Sequence, residues 1–289
     1  MTITLDATIG AAENQGAAPR PGRIATGFSF GILILVVVMV VFADLIAPYA
    51  PNSQALDNAF ASPTWAHLFG TDDLGRDIFS RMVHGGRTTI LASLLAVGIA
   101  VGLGLPIGLT AGYLGGRVDS LLMRVVDTLL AFPAIVLAIG ITATMGVNII
   151  NAMVAVGIVL APSIARLSRA QTMSVKESTY VEAARSFGAR GVRRVVIPHI
   201  LPNMIQPVVV QTAILMGYAL LAEASLSFLQ LGVQPPDPSW GAILSRAYGY
   251  MDQAPLTIFI PGIAIALTVF AFNIGGDEAQ RRLDPRRIK

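Results

Sequence analysis

The sequence predicts an all-α, polytopic membrane protein with six transmembrane helices. Three observations predict it. The chain is 54% apolar and only 13% charged, with a mean hydropathy of +0.68, whereas a soluble domain is about 25% charged. Six stretches are apolar enough and long enough to cross the hydrocarbon, which takes about 20 residues of helix. Lys and Arg then fall overwhelmingly on one side of those stretches.

Backbone groups in lipid must be paired within their own segment, so each stretch reads as a helix. The spans are placed at 27–47, 88–113, 121–144, 149–167, 207–231 and 256–274. Asp127 and Pro133 interrupt the third, and Pro162 lies near the end of the fourth. Residues 1–24 are polar and without apolar periodicity, and read as a flexible cytoplasmic tail. The apolar run that follows lacks a small-residue cleavage site, so it reads as a retained anchor and not a signal peptide. Residues 276–289 form a C-terminal cytoplasmic tail.

With the N-terminus inside, sixteen Lys and Arg lie in the cytoplasm: Arg20, Arg23, Arg117 and Arg124, the seven Arg166, Arg169, Lys176, Arg185, Arg190, Arg193 and Arg194, and the five of the tail (Arg281, Arg282, Arg286, Arg287 and Lys289), against Arg76, Arg81, Arg87 and Arg246 outside. The positive-inside rule therefore puts both termini in the cytoplasm. The chain has no Cys, which excludes disulfides, thiolate metal sites and cysteine catalysis. Its three His (His67, His84, His199) are too scattered for a metal cluster. The second span carries Gly98, Gly102, Gly104, Gly108, Gly112 and Gly116. Gly104, Gly108, Gly112 and Gly116 repeat every four residues on one face, which suits close helix packing, within the chain or against a partner.

The most informative polar segment is the loop at 176–206 between the fourth and fifth spans. Thr179 and Glu182 have the spacing of a capping box. Tyr180, Ala183, Ala184 and Phe187 share an apolar helix face. Gly188 suits a helix stop, and residues 189–196 suit a second short helix ending before Pro198. On residue properties alone this is either a force-bearing protrusion or a solvated basic loop.

The order Glu182-Ala183-Ala184, Gly188, then Ile200-Leu201-Pro202 resembles the EAA motif of ABC-importer permeases. The spacer before Ile200 is one residue longer than the family pattern. Residues 70–90, GTDDLGRDIFSRMVHGGRTTI, resemble the GTD-x-x-GRD-x-x-SR-x-x-x-G-x-R signature of peptide-type permeases. Residues 223–241, with EASLSFLQL followed by GVQPPDPSWG, and the ending with Gly276-Asp277 and Leu283-Asp284-Pro285-Arg286 are similar to the same group. The chain is thus identified as resembling the C-type permease of oligopeptide or dipeptide ABC importers, in the binding-protein-dependent transport inner-membrane component family. The resemblance implies a type I ABC-importer permease fold and a heterodimer with a sister permease. It also implies two ATPase subunits or domains, an extracytoplasmic peptide-binding protein, a peptide substrate and a cell-membrane location, with no nucleic acid. It implies that Glu182, Ala183, Ala184, Gly188, Arg193 and Pro202 couple to the ATPase. ATP and Mg belong to the partners, and this chain, not itself an enzyme, binds no cofactor. It has no G-x-x-x-x-G-K-[ST] loop to hold ATP phosphates.

The remaining polar residues have open readings. Glu223 lies in the fifth span, where a carboxylate is costly. It faces the pathway, is protonated, or bonds to Ser225 and Ser227. Asp127 follows Arg124 by three residues and suits a local ion pair. Asp72, Asp73, Arg76 and Asp77 either cap the next helix or dock the binding protein, as do Asp237 and Trp240. Trp240 also suits a membrane interface, and the Pro-rich loop around it suits a plug. Rival functions are a nickel or other small-ligand ABC permease and an ion-coupled secondary transporter using Glu223 as proton carrier. An intramembrane enzyme lacks any nucleophile–base pair.

Overall fold

The computed structural model describes residues 23–189 and 191–283. The expected N-terminal tail, Arg190 and the last six residues lie outside the described residues, apart from the start of the first helix at Arg23. In chain order the helices are α1 (Arg23–Val41), the short α2 (Ala43–Ile46), α3 (Ile78–Leu114), α4 (Gly116–Leu130), α5 (Ala134–Met145), α6 (Ile149–Lys176), α7 (Thr179–Ser186), a π-helical stretch (Val192–Ile200) running into α8 (Leu201–Phe228), α9 (Trp240–Gly249) and α10 (Phe259–Leu283). Among the described residues, extended pairing is confined to an isolated bridge between Thr71 and Asp77.

Five segments are each a helix long and apolar enough to cross a membrane: α1, α3, α6, the π-helix with α8, and α10. The sixth is not one helix. The expected straight span at 121–144 is instead two helices, α4 and α5, bent by 93°. Pro133 heads α5 from an extended backbone conformation, and a proline both lacks an N–H and drives the residue before it out of helix. At 12 residues α5 rises only about 18 Å, short of the hydrocarbon thickness. Asp127 also departs from expectation. Its carboxylate accepts from Arg166 Nη2 at 2.6 Å, across to α6, and not from Arg124. Arg169 of α6 meets Asp119 through Nε and Nη2 at 2.5 and 2.6 Å. Two ion pairs therefore strap α4 along α6.

The spans also overrun their apolar stretches. Asp77 caps α3 by accepting from Ser80 N at 2.7 Å, so the helix begins ten residues before the uncharged run at 88–113. Proline inside α3 (Pro106), α6 (Pro162) and α8 (Pro207) does not end those helices.

The centre of the bundle is the parallel pair α3–α6. A Cβ built on Gly104 would sit 2.4 Å from Ala161 O; on Gly108, 2.2 Å from Ala165 O; on Gly112, 2.7 Å from Thr172 Cβ. Gly157 of α6 is equally close to Ala96 O of α3, at 2.7 Å. The glycine ladder thus packs within the chain. Gly98 and Gly102 lie off this face with nothing within 4 Å, and Gly116 turns the chain at φ +57°. One apolar core joins α3, α5, α6 and α8 with Val181, Val195, Val196 and Ile200 from the 176–206 segment. A second joins α1, α3, α8, α9 and α10 around Trp240.

Replacing Gly108 by Ala is expected to lower the melting temperature of the detergent-solubilised chain by several degrees, because overpacking costs about 1–3 kcal/mol. Gly102→Ala is expected to be neutral or slightly stabilising, as for an unhindered helical glycine. A thermal-unfolding assay on both variants checks the contrast.

Candidate functional site

At the end of the bundle where α3 stops and α6 ends, the chain forms a compact knuckle. Lys176, in the last turn of α6, donates from Nζ to Tyr113 O at 2.9 Å. It places a cation on the unsatisfied carbonyls that close α3. α7 then starts after Ser178, which is its N-cap without a side-chain capping bond, so the expected Thr179–Glu182 capping box does not form. The stop at Gly188 is a Schellman closure. Gly188 N–H donates to Arg185 O at 2.9 Å and Ala189 N–H to Ala184 O at 3.1 Å, with Gly188 at φ +86°. A Cβ on Gly188 would meet nothing within 4 Å. The requirement is therefore for left-handed backbone, and not for space.

The expected second short helix ending before Pro198 is a nine-residue π-helix that contains Pro198 and continues into α8. Leu201 N–H reaches back five residues to Val196 O. This i→i+5 winding holds more residues per turn than an α-helix, which accommodates the long spacer between Gly188 and Pro202. Pro202 occupies the first turn of α8, directly after the π-helical stretch.

The knuckle has two faces. Val181 is fully buried, as are Val195 and Ile200 behind it, and they join the central core. The opposite face carries the apolar residues read from the sequence. Tyr180 is 44% exposed, Ala183 is exposed, Ala184 is half-buried, and Phe187 at the tip is 93% exposed. Glu182 and Arg193 are exposed beside them, and Arg185 lies over the Tyr113 ring at 5.9 Å. The buried anchors were missed in the sequence; Val195, Val196 and Ile200 at helical spacing were the available signal.

The other candidates lie at the far end of the bundle and do not join this site. Glu223 is fully buried on α8. Its Oε1 accepts from Ser227 Oγ at 2.7 Å, and Ser227 Oγ in turn accepts from Val233 N–H at 3.2 Å. Close by, Thr89 Oγ1 and Ser239 Oγ accept from Trp240 N–H and Ala242 N–H at 3.1 Å each. Glu223 thus sits at the junction of α8, α3 and α9. Trp240 is a core residue and not an interfacial one: it is 2% exposed, and its indole N–H donates to Met82 O at 2.9 Å.

The 72–77 cluster divides its work. Asp77 caps α3 and contacts His67 Nδ1 at 2.9 Å. Asp72 accepts from Leu74 N–H and Arg76 N–H at 3.0 Å and from Arg76 Nε at 2.7 Å. Asp73 takes a bidentate pair of bonds from Arg246 of α9 at 2.5 and 2.6 Å. Arg76, Asp77 and Trp240 are buried, so their side chains are not on a surface that a docking protein would meet. Asp72 and Asp73 are partly covered and Asp237 is exposed.

Burial pushes the Asp73 carboxyl up, but the Arg246 bonds and charge outweigh it and hold the group below its ordinary 3.8. A depressed carboxylate contributes stability above its unfolded-state pKa and loses it as pH falls through the folded value. Asp73→Asn is therefore expected to lower the melting temperature at pH 7, with the gap to the parent closing only below about pH 4. Thermal melts of both proteins across pH 3–7 check this.

Residues 104–289 match the family described as "Binding-protein-dependent transport system inner membrane component", and residues 27–63 match "N-terminal TM domain of oligopeptide transport permease C". The chain is 45% identical over 255 residues to "Glutathione transport system permease protein GsiD" of Escherichia coli O6:K15:H31 (strain 536 / UPEC), covering 88% of this chain and 84% of that protein. The protein of the same name from Shigella boydii serotype 4 (strain Sb227) matches to the same extent. Among solved structures, an inward-facing form of the MetNI methionine ABC transporter shares the fold at a TM-score of 0.60 and 17% identity, over 72% of this chain and 98% of that one. With its bundle of membrane helices and these matches over most of its length, the chain belongs to the binding-protein-dependent transport system inner membrane component family.

Proposed function

We propose that this chain is one of two permease subunits of an ATP-driven importer for short peptides, glutathione-like compounds included. The relatives named for glutathione transport support the substrate class. The match to an oligopeptide-permease N-terminal domain supports it independently. A sister permease completes the pathway, two ATPase subunits supply the energy, and an outer binding protein delivers the peptide. The cationic end of the bundle faces the cytoplasm, in keeping with the Lys/Arg asymmetry.

The single observation that carries the coupling role is the outward apolar face of α7. An apolar ring such as Phe187, bare at the tip of a knuckle, is the kind of surface that a protein partner buries. Its base is continuous with the core through Val181, Val195 and Ile200. A push on the face therefore reaches α6 and α8 directly, and alternating access follows from moving those two helices. Glu182, Ala183, Ala184 and Arg193 frame the contact, Gly188 shapes it, and Pro202 starts the helix that receives the force.

Gly188→Pro removes an N–H that closes α7 and demands φ near −65° where the chain needs +86°. Glu182→Lys reverses a charge on the exposed rim. Both are expected to lower peptide uptake by about tenfold or more while membrane insertion is unchanged. The check is uptake together with peptide-stimulated ATP hydrolysis in proteoliposomes holding the whole complex. Normal stimulated hydrolysis in these variants sinks the coupling role. Uptake that needs this chain alone, stops with an uncoupler and ignores ATP would favour an ion-coupled carrier.

A further inference from the structure

A second polar feature lies at the opposite end of the bundle. α3 is 37 residues long, about 55 Å, against about 30 Å of hydrocarbon. Its uncharged stretch starts at Thr88, so His84 and Arg87 lie within one turn outside it. There a cleft of about 470 Å³ opens between α3, the head of α6 and the 233–238 loop. Its polar lining is His84, Arg87, Thr88, Asn148, Gln234 and Asp237. Prolines supply most of the rest.

Groups of both signs converge on this cleft. Arg87 is 43% exposed, and Nη1 donates to Asp44, itself 74% exposed, at 3.1 Å. So exposed a pair is worth little in water, and an incoming carboxylate displaces it at small cost. The planar fork of Arg then suits that carboxylate in a two-point contact. His84 Nδ1 lies 3.9 Å from the same Asp44. Asn148 accepts from Asn151 N–H at 2.9 Å through Oδ1, which leaves its amide hydrogens for a ligand. Across the cleft Asp237 is exposed and has no ion pair among the described residues. Cation on one wall and anion on another, over a space of this size, match the two charged ends of a short peptide.

We propose that this cleft is a binding subsite for zwitterionic short peptides, with Arg87 and His84 taking the C-terminal carboxylate and Asp237 the N-terminal ammonium. The proposal rests on the importer reading above and adds a peptide contact made by the permease itself.

The test uses the purified complex of permeases and ATPase subunits without the binding protein. Binding of trialanine, its C-terminal amide and its N-acetyl form is measured by equilibrium dialysis. Wild type is expected to prefer the free peptide over both blocked forms. Arg87→Gln is expected to raise the Kd for trialanine about tenfold, the worth of one charge-assisted contact, and to erase the preference for acid over amide. Asp237→Asn, in an exposed loop and safe for folding, is expected to erase the preference for free amine over the acetylated form. Absence of peptide binding by wild type overturns the proposal, as do variants that keep both preferences or weaken all three ligands alike. Binding-protein-dependent uptake of trialanine by the same wild-type preparation is measured in parallel. Uptake without cleft binding sinks only the subsite, whereas absence of uptake sinks the importer reading as well.

Discussion

The close contact of α3 with α6 is the constraint on which the rest of the structure depends. Gly104, Gly108 and Gly112 let α6 backbone atoms approach to distances that a Cβ would forbid. Lipid tails are as apolar as any side chain, so helix association in a membrane draws on such close packing and on polar pairing more than on burial from water. Once the pair is set, other elements are placed by it. The Asp119–Arg169 and Asp127–Arg166 pairs lay α4 on α6. Lys176 ties the end of α6 to the last carbonyls of α3. The knuckle that follows begins from a fixed point.

That arrangement explains how a small external contact can move a large bundle. The knuckle is not a lobe on a tether. Its buried valines and Ile200 belong to the same packed cluster as Ala96, Met153 and Leu215 of α3, α6 and α8. Packed interiors have low compressibility and transmit strain, so a load on α7 shifts helices as bodies. At the other end Glu223 serves a comparable purpose through polar groups. The hydroxyls of Ser227, Thr89 and Ser239 each hold a backbone N–H of the 233–242 segment, and that of Ser227 also donates to the Glu223 carboxyl, which fixes α9 against α8 and α3.

Much of this was legible in the sequence, for identifiable reasons. Apolar run length reports bilayer crossing directly, and four-residue glycine spacing reports a packing face, so the spans and Gly104, Gly108 and Gly112 could be read. Gly188 was readable because few residues other than glycine end a helix in left-handed conformation. Three features were not. Pro133 is compatible with either a kink or a break, and only the packing of α4 on α6 selects a 93° turn. Asp127 has Arg124 near in sequence, yet its partner Arg166 lies 39 residues away on another helix. Trp240 has an amphipathic ring that suits an interface or a core, and the acceptor for its indole, Met82 O, comes from a distant segment. In the knuckle the apolar face was visible as a pattern. Its outward direction was not, because that depends on Val181 being the residue that anchors the helix.

What touches Phe187 decides the coupling role. The chain has no Cys, so Phe187→Cys gives a single thiol for a photo-reactive maleimide in the assembled complex in membranes. A coupling knuckle gives a crosslink from position 187 to a nucleotide-hydrolysing subunit, and none from a thiol placed at Leu256, which is 73% exposed at the far end. A thiol at 187 that yields no such adduct, or that reacts with a membrane-impermeant reagent from outside the cell, contradicts it.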